Sequence, residues 1–190
     1  MIRSELCQIA GITAPTFNSH RRNGDLPFDP SPAEAVDGAG RTWSRFSLVH
    51  AALLIAARQL AAAQGVTWSE AAATLRATGI LCGPTGFEDR FFNRAGIHVA
   101  RVEFAQAATN DAPSLMDRTQ TYKGPLADIL RAAEAAAAGY SKRHPDQPVI
   151  VASIASVDLS HCWNIAVKAA DMLGIDPGPM EGQPDPEDWE

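Results

Sequence analysis

Paired cysteines are missing from this chain. Its three, Cys7, Cys82 and Cys162, are odd in number, far apart and in no C-x-x-C spacing. That pattern argues against a disulfide framework and for a reducing compartment. Long apolar runs are missing as well. Leu48 to Ala63 comes nearest, but Arg58 and Gln59 interrupt it, so a membrane span is not expected. Met1-Ile2-Arg3 leads directly into a polar helix and carries no secretory pattern. Catalytic signatures are absent too: no G-x-S-x-G, no phosphate loop, no H-E-x-x-H and no suitably spaced carboxylate pair. Gly83-Pro84-Thr85-Gly86 reads as a turn and lacks the lysine of a phosphate loop. His161-Cys162 offers two adjacent ligands that a helix would point apart, whereas zinc takes three or four. The expectation is a protein that is not an enzyme, with no metal and no cofactor.

Positive charge is scarce, and its distribution is uneven. The chain has a net charge of −6. Residues 1–79 carry seven Arg against six Asp or Glu, a net of +1, while residues 80–190 carry nine basic against sixteen acidic residues, a net of −7. A front half able to approach an anion is set against a back half that need not. The tightest basic cluster, His20-Arg21-Arg22, lies near the N-terminus.

What surrounds that cluster is a pair of short helices. Ser4 is read as the cap of a first helix through Ala10, with Leu6, Ile9 and Ala10 on one apolar face. Gly11 ends it, because glycine takes the left-handed position without a Cβ clash. Thr13 caps a second helix with Pro15 in its first turn, and Asn23-Gly24 stops it. Phe17 points back to the core, and Cys7 reads as a small core residue. Phe28 to Gly40 has loop composition. Arg41 to Phe46 reads as a short hairpin strand in which Trp43 is a core or staple residue. Ser47 caps a long helix to about Gln64 with the stripe Val49, Ala52, Leu53, Ala56 and Leu60. Thr67-x-x-Glu70 is a capping box that opens another helix to about Thr78.

Further along, His98 to Phe104 alternates as a half-exposed strand, residues 107–123 read as loop, and Pro125 opens a helix to about Gly139. Pro148 to Val157 is the strongest strand signal, rich in β-branched residues. Asp158 or Ser160 caps a last helix to about Gly174. The tail from Asp176 has six acidic residues, four prolines and no basic residue, the composition of a disordered segment. Alanine-rich stretches such as Ala135 to Ala138 imply closely approaching helices.

Two short helices around a glycine turn form a helix-turn-helix, whose second helix can present side chains to a DNA major groove. Over about residues 2–79 the sequence resembles the N-terminal winged helix-turn-helix of the MerR family and its phage relatives. The resemblance runs through Gly11-Ile12-Thr13-x-x-Thr16-Phe17, the helix exit Arg22-Asn23-Gly24-Asp25-Leu26-Pro27, the wing strand Arg41-Thr42-Trp43-Ser44-Arg45-Phe46-Ser47, and Gly65-Val66-Thr67-Trp68-Ser69-Glu70-Ala71. Where that family typically has Arg-Tyr-Tyr-Glu-Arg, this chain has Asn18-Ser19-His20-Arg21-Arg22, so base preference does not carry over. The family's long dimerisation helix is not apparent after Gly79.

The expected fold is therefore mainly α with small β, an α+β class. A winged helix-turn-helix at 1–79 would be followed by a small α+β assembly or effector domain at 80–175 and an acidic tail at 176–190. The implied function is a cytoplasmic, sequence-specific transcription regulator of bacterial or phage type. Its DNA-binding residues would be Thr13, Thr16, Asn18, Ser19, His20, Arg21, Arg22, Arg41 and Arg45. Expected partners are double-stranded DNA, a second copy in a homodimer, and RNA polymerase or another regulator. Two other readings stay open: a phage packaging or recombination factor of the terminase small subunit or excisionase type, and an adaptor that binds protein rather than DNA.

Overall fold

The structure is a computed structural model, and it describes residues 1–29, 34–36, 42–44, 46–79, 96–106 and 115–176. Arg41, Arg45, Cys82, the Gly83–Gly86 turn and the tail beyond Asp176 lie outside the described residues, as does the side chain of Trp43.

Six helices, one three-stranded antiparallel sheet and a two-stranded hairpin make up the described residues, an α+β arrangement. The helices are α1 (Arg3–Ala10), α2 (Ala14–Asn23), α3 (Leu48–Gln64), α4 (Trp68–Ala77), α5 (Leu126–Arg143) and α6 (Leu159–Leu173). The hairpin pairs β1 (Glu34–Val36) with β2 (Thr42–Ser44); the sheet runs in the order β4 (Leu115–Gly124), β3 (His98–Gln106), β5 (Val149–Asp158). Among the described residues no helix is long and apolar enough to cross a membrane.

The front half builds itself around α3. The helix buries every residue from Leu48 to Ala57 except the half-buried His50. That is more than the single stripe expected, because α1, α4 and β5 all pack on this helix and α6, returning from the far end of the chain, packs on it as well. α6 joins that core through Leu159, Cys162, Trp163, Ala166 and Ala170. A helix that is apolar all round belongs in an interior, and the alanines Ala51, Ala52, Ala56, Ala57 and Ala166, each fully buried, let the axes come close. Hydrophobic contact is continuous from α1 through α3 to Val99, Ala155 and Val157 of the sheet.

A second, smaller cluster joins α5 to the other face of the sheet through Val102, Phe104, Ala133, Ala137 and Val149. β3 is thus a central strand covered on both faces, not the half-exposed strand its alternation suggests. Only Arg101 and Glu103 interrupt its buried middle, both partly exposed. Of the loop expected over 107–123, residues 107–114 lie outside the described residues, and β4 occupies residues 115–123. Its polar residues suit an edge strand with one wet side: Arg118 and Thr119 are exposed, while Tyr122 donates to Gln120 at 2.6 Å and Gln120 in turn to Tyr140 at 2.7 Å. β1 likewise falls within the expected loop of residues 28–40.

Most helix ends follow the local chemistry. Thr13 Oγ1 accepts from Thr16 N at 3.3 Å, Thr67 and Glu70 cap each other, and Asp158 accepts from His161 N at 3.1 Å. α1 starts earlier than a Ser4 cap would allow. Its cap position is Ile2, whose N–H donates to the Glu5 carboxylate at 2.8 Å. The carboxylate reaches back from the third helical position to the cap residue's own N–H, which is the carboxylate half of a capping box without the hydroxyl half. At α3 the same reach is made by a ring: Ser47 N donates to His50 Nδ1 at 2.9 Å.

Candidate nucleic-acid interface

α1 and α2 meet at Gly11, which adopts φ +63° and accepts from Arg58 Nη1 at 2.9 Å through its carbonyl. The turn is therefore fixed both by the glycine conformation and by a guanidinium from α3. α2 then buries one side chain, Phe17, which is fully enclosed and meets Phe46 edge-on at 5.7 Å. Enclosing that ring contributes about 2–3 kcal/mol, enough to fasten a helix of ten residues by one point.

The far end of α2 is clamped by α4. Trp68 Nε1 donates to Asp25 O at 2.7 Å, Ser69 Oγ to the Asp25 carboxylate at 2.9 Å, and Arg76 Nη1 to Gly24 O at 2.8 Å. His20 stacks on Trp68. Burial against that indole holds the His20 pKa below the ordinary imidazole value, with Asp25 pulling it partly back, so its neutral form is favoured.

The remaining expected contact residues divide into two groups. Thr13, Thr16, Arg21 and Arg22 are exposed. The two threonine hydroxyls share a hydrogen bond at 2.8 Å at the helix start. Arg21 and Arg22 sit in the last turn, beside the negative end of the helix dipole, and no carboxylate among the described residues pairs with either. Asn18, Ser19 and His20 are only half exposed. Asn18 Oδ1 accepts from Arg3 Nη1 at 3.2 Å, and among the described residues the amide N–H groups of Asn18 have no acceptor.

Arg3 is a member of this surface that sequence reasoning passes over. It lies on the first turn of α1, fifteen residues before its partner Asn18, and no local pattern links the two. Trp68, Asp25, Arg58 and Arg76 are supports of the same kind, their contacts spanning 43 to 52 residues. β2 stands between the expected phosphate ligands Arg41 and Arg45 in sequence and pairs with β1, Val36 opposite Thr42.

No protein-family model matches the chain, and comparison with curated proteins finds no relative. Among the described residues no cluster of His, Cys, Asp or Glu could hold a metal ion. His161 is exposed while Cys162 faces the interior, where burial pushes its thiol up to about 12 and Gln59 accepts from it at 3.6 Å. Such a thiol is inert at neutral pH.

Proposed function

We propose that this protein is a cytoplasmic DNA-binding regulator of bacterial or phage type, with α2 as a recognition helix and the β1–β2 hairpin as a wing of the MerR kind. One observation carries the reading: α2 commits a single ring to the core and turns to solvent a threonine-rich start and two arginines that no carboxylate among the described residues pairs with. A groove-reading helix needs that combination. Its inner face must be fixed and its outer face polar, and its cations must be free for phosphate oxygens. The net charge of −6 does not oppose this, because the front half alone is +1 and DNA responds to local potential.

The chemistry would divide as follows. Arg21, Arg22 and Arg3 would meet phosphates, while Thr13, Thr16 and Asn18 would approach base edges, Asn18 with the donor pair suited to an acceptor-rich edge. His20 would act behind the surface, keeping the helix end against α4.

The test is binding of the full chain to sheared genomic duplex by fluorescence anisotropy, from about 50 to 200 mM salt. The wild type should bind with a steep loss of affinity as salt rises. The double variant Arg21→Ala, Arg22→Ala should bind every sequence more weakly and flatten the log–log salt slope by about two. Absence of binding at the lowest salt, or a folded double variant with an unchanged slope, would remove this reading and leave the adaptor one.

A further inference from the structure

We infer that α4 is a lever by which the sheet sets the position of α2, and that Arg101 of β3 is the positioning residue that works it. The tether stands on the fold alone; its consequence for binding rests on α2 being a recognition helix. α4 grips the exit of α2, with Trp68 and Ser69 on Asp25 and with Arg76 Nη1 donating to the carbonyls of Gly24 and Leu26. The sheet in turn grips α4 at both ends. In the first turn Glu70 Oε1 meets Arg101 Nη2 of β3 at 2.9 Å, and at the C-cap Thr78 O accepts from Lys123 Nζ of β4 at 2.9 Å. Within α2 only Phe17 is buried, so Arg21 and Arg22 in its last turn take their position from what holds the exit.

Of these contacts, the one made by Arg101 is able to let go. Its side chain keeps only 16% of its surface in water and serves two carboxylates. Nε and Nη2 both donate to Glu103 Oε1, at 3.2 and 3.0 Å, and Ser153 Oγ of β5 donates to Glu103 Oε2 at 3.0 Å. Glu70 receives Nη2 alone, while its other oxygen is committed to Thr67. A guanidinium that swings wholly onto Glu103 keeps a carboxylate partner, so releasing Glu70 strands no buried cation. A cleft of about 180 Å³ beside the pair, lined by Gly65, Val66, Glu70, Arg101, Glu103 and Ser153 among others, gives room for that swing.

Stability is a poor reason for a guanidinium there. Arg101 and Glu103 interrupt the buried middle of a central strand, where a well-packed apolar pair is often as stable or more so. What an ion adds is a directional contact with two partners, one on its own strand and one on α4. Whatever enters the cleft, or shifts Glu103 or Ser153, changes what Arg101 offers to Glu70. Trp68 and Ser69, one and two residues before Glu70 on the same rigid helix, carry that change to Asp25 and to the stacked ring of His20.

The experiment is amide hydrogen exchange and proton NMR on the full chain without nucleic acid. The amides of Gly24 and Asp25, bonded to Arg21 O and His20 O, report on the α2 exit. In Arg101→Met they should exchange about tenfold faster, between what an exposed and a buried ion pair give. The His20 ring protons should lose part of the upfield shift that the Trp68 indole imposes. Buried amides of α5, such as those of Ala133 and Ala137, should not change. Arg101→Lys keeps a cation for one carboxylate and should restore part of the protection. Arg131→Met removes an ion pair on α5 and should leave α2 as it is. Lys123→Met, at an exposed position, removes the second tether, should speed the same two amides, and decides the matter if Arg101→Met fails to fold. With duplex added, Arg101→Met should bind severalfold more weakly at the wild-type salt slope, because no phosphate contact is lost. Unchanged α2 amides in the folded variants would overturn the inference, and so would equal acceleration in α5, the mark of general loosening. A wild type that binds no duplex would remove the DNA reading and leave the exchange result to decide the tether.

Discussion

His20 lies flat on Trp68, with ring centroids 4.1 Å apart and planes inclined by 14°. The contact joins the last turn of α2 to the first residue of α4 across 48 positions, and the indole N–H continues it to Asp25 O. Trp68→Phe keeps an aromatic ring for the stack but removes the donor and part of the indole, so it should cost about 1–2 kcal/mol of unfolding free energy. Trp68→Ala removes ring, stack and donor together and should cost about 3 kcal/mol. Urea denaturation checks both. An alanine variant with the wild-type midpoint would mean that α4 does not hold α2.

That contact also marks the boundary of what is legible in the sequence. The caps Thr13 and Thr67, the turn glycines Gly11, Gly24 and Gly65, the buried Phe17 and the strand Val149–Asp158 all follow from neighbours within a few residues. The fourfold support of the α2 exit, the pairing of Arg3 with Asn18 and the cover of α3 by α6 depend on residues brought together from far apart, and no periodicity encodes them. β4 escapes for a different reason. An edge strand with polar residues on its wet side has the composition of a loop.

Acidification should weaken the fold through His50. Its ring accepts from Ser47 N, meets Phe28 edge-on at 4.6 Å, and is pushed down to about 4 by burial first and by the nearby N-terminal ammonium second. The unfolded chain therefore binds a proton that the folded chain refuses, and stability rises with pH. The contribution is complete above the unfolded value near 6.5 and is lost as pH falls toward 4. Its full size is on the order of 3 kcal/mol. His50→Gln keeps an acceptor for Ser47 N and does not titrate, so its melting temperature should vary less over that window. Equal pH slopes for the two proteins would place the titration elsewhere.

Gly11 and Gly24 have the same left-handed conformation but different surroundings. A Cβ on Gly11 would come within 2.4 Å of Arg58 Nη1, whereas Gly24 has nothing within 4 Å. Gly24→Ala should therefore cost only the conformational penalty, about 1 kcal/mol. Gly11→Ala should cost about 1 kcal/mol more, because Arg58 must leave the Gly11 carbonyl. Chemical denaturation of the two variants side by side gives the difference directly, and equal losses would show that the Arg58 contact contributes nothing.

Arg3 and Asn18 should separate affinity from specificity if α2 reads a groove. Arg3→Ala removes a cation and should weaken binding to all duplexes alike. Asn18→Ala removes a base-edge partner and should relax preference at one position by about 1–3 kcal/mol. Selection from a random duplex library reads both effects. Identical sequence preferences in wild type and Asn18→Ala would take Asn18 out of the contact surface.

The burial of α3 on every side carries a lesson for anyone wishing to transplant the N-terminal block. Leu159, Trp163 and Ala166 arrive from more than 90 residues downstream to seal the flank of a helix that would otherwise stand open to solvent. A graft ending at Gly79 would carry α1 and α2 without their backing wall, and α6 would have to be supplied with it for the graft to hold its shape.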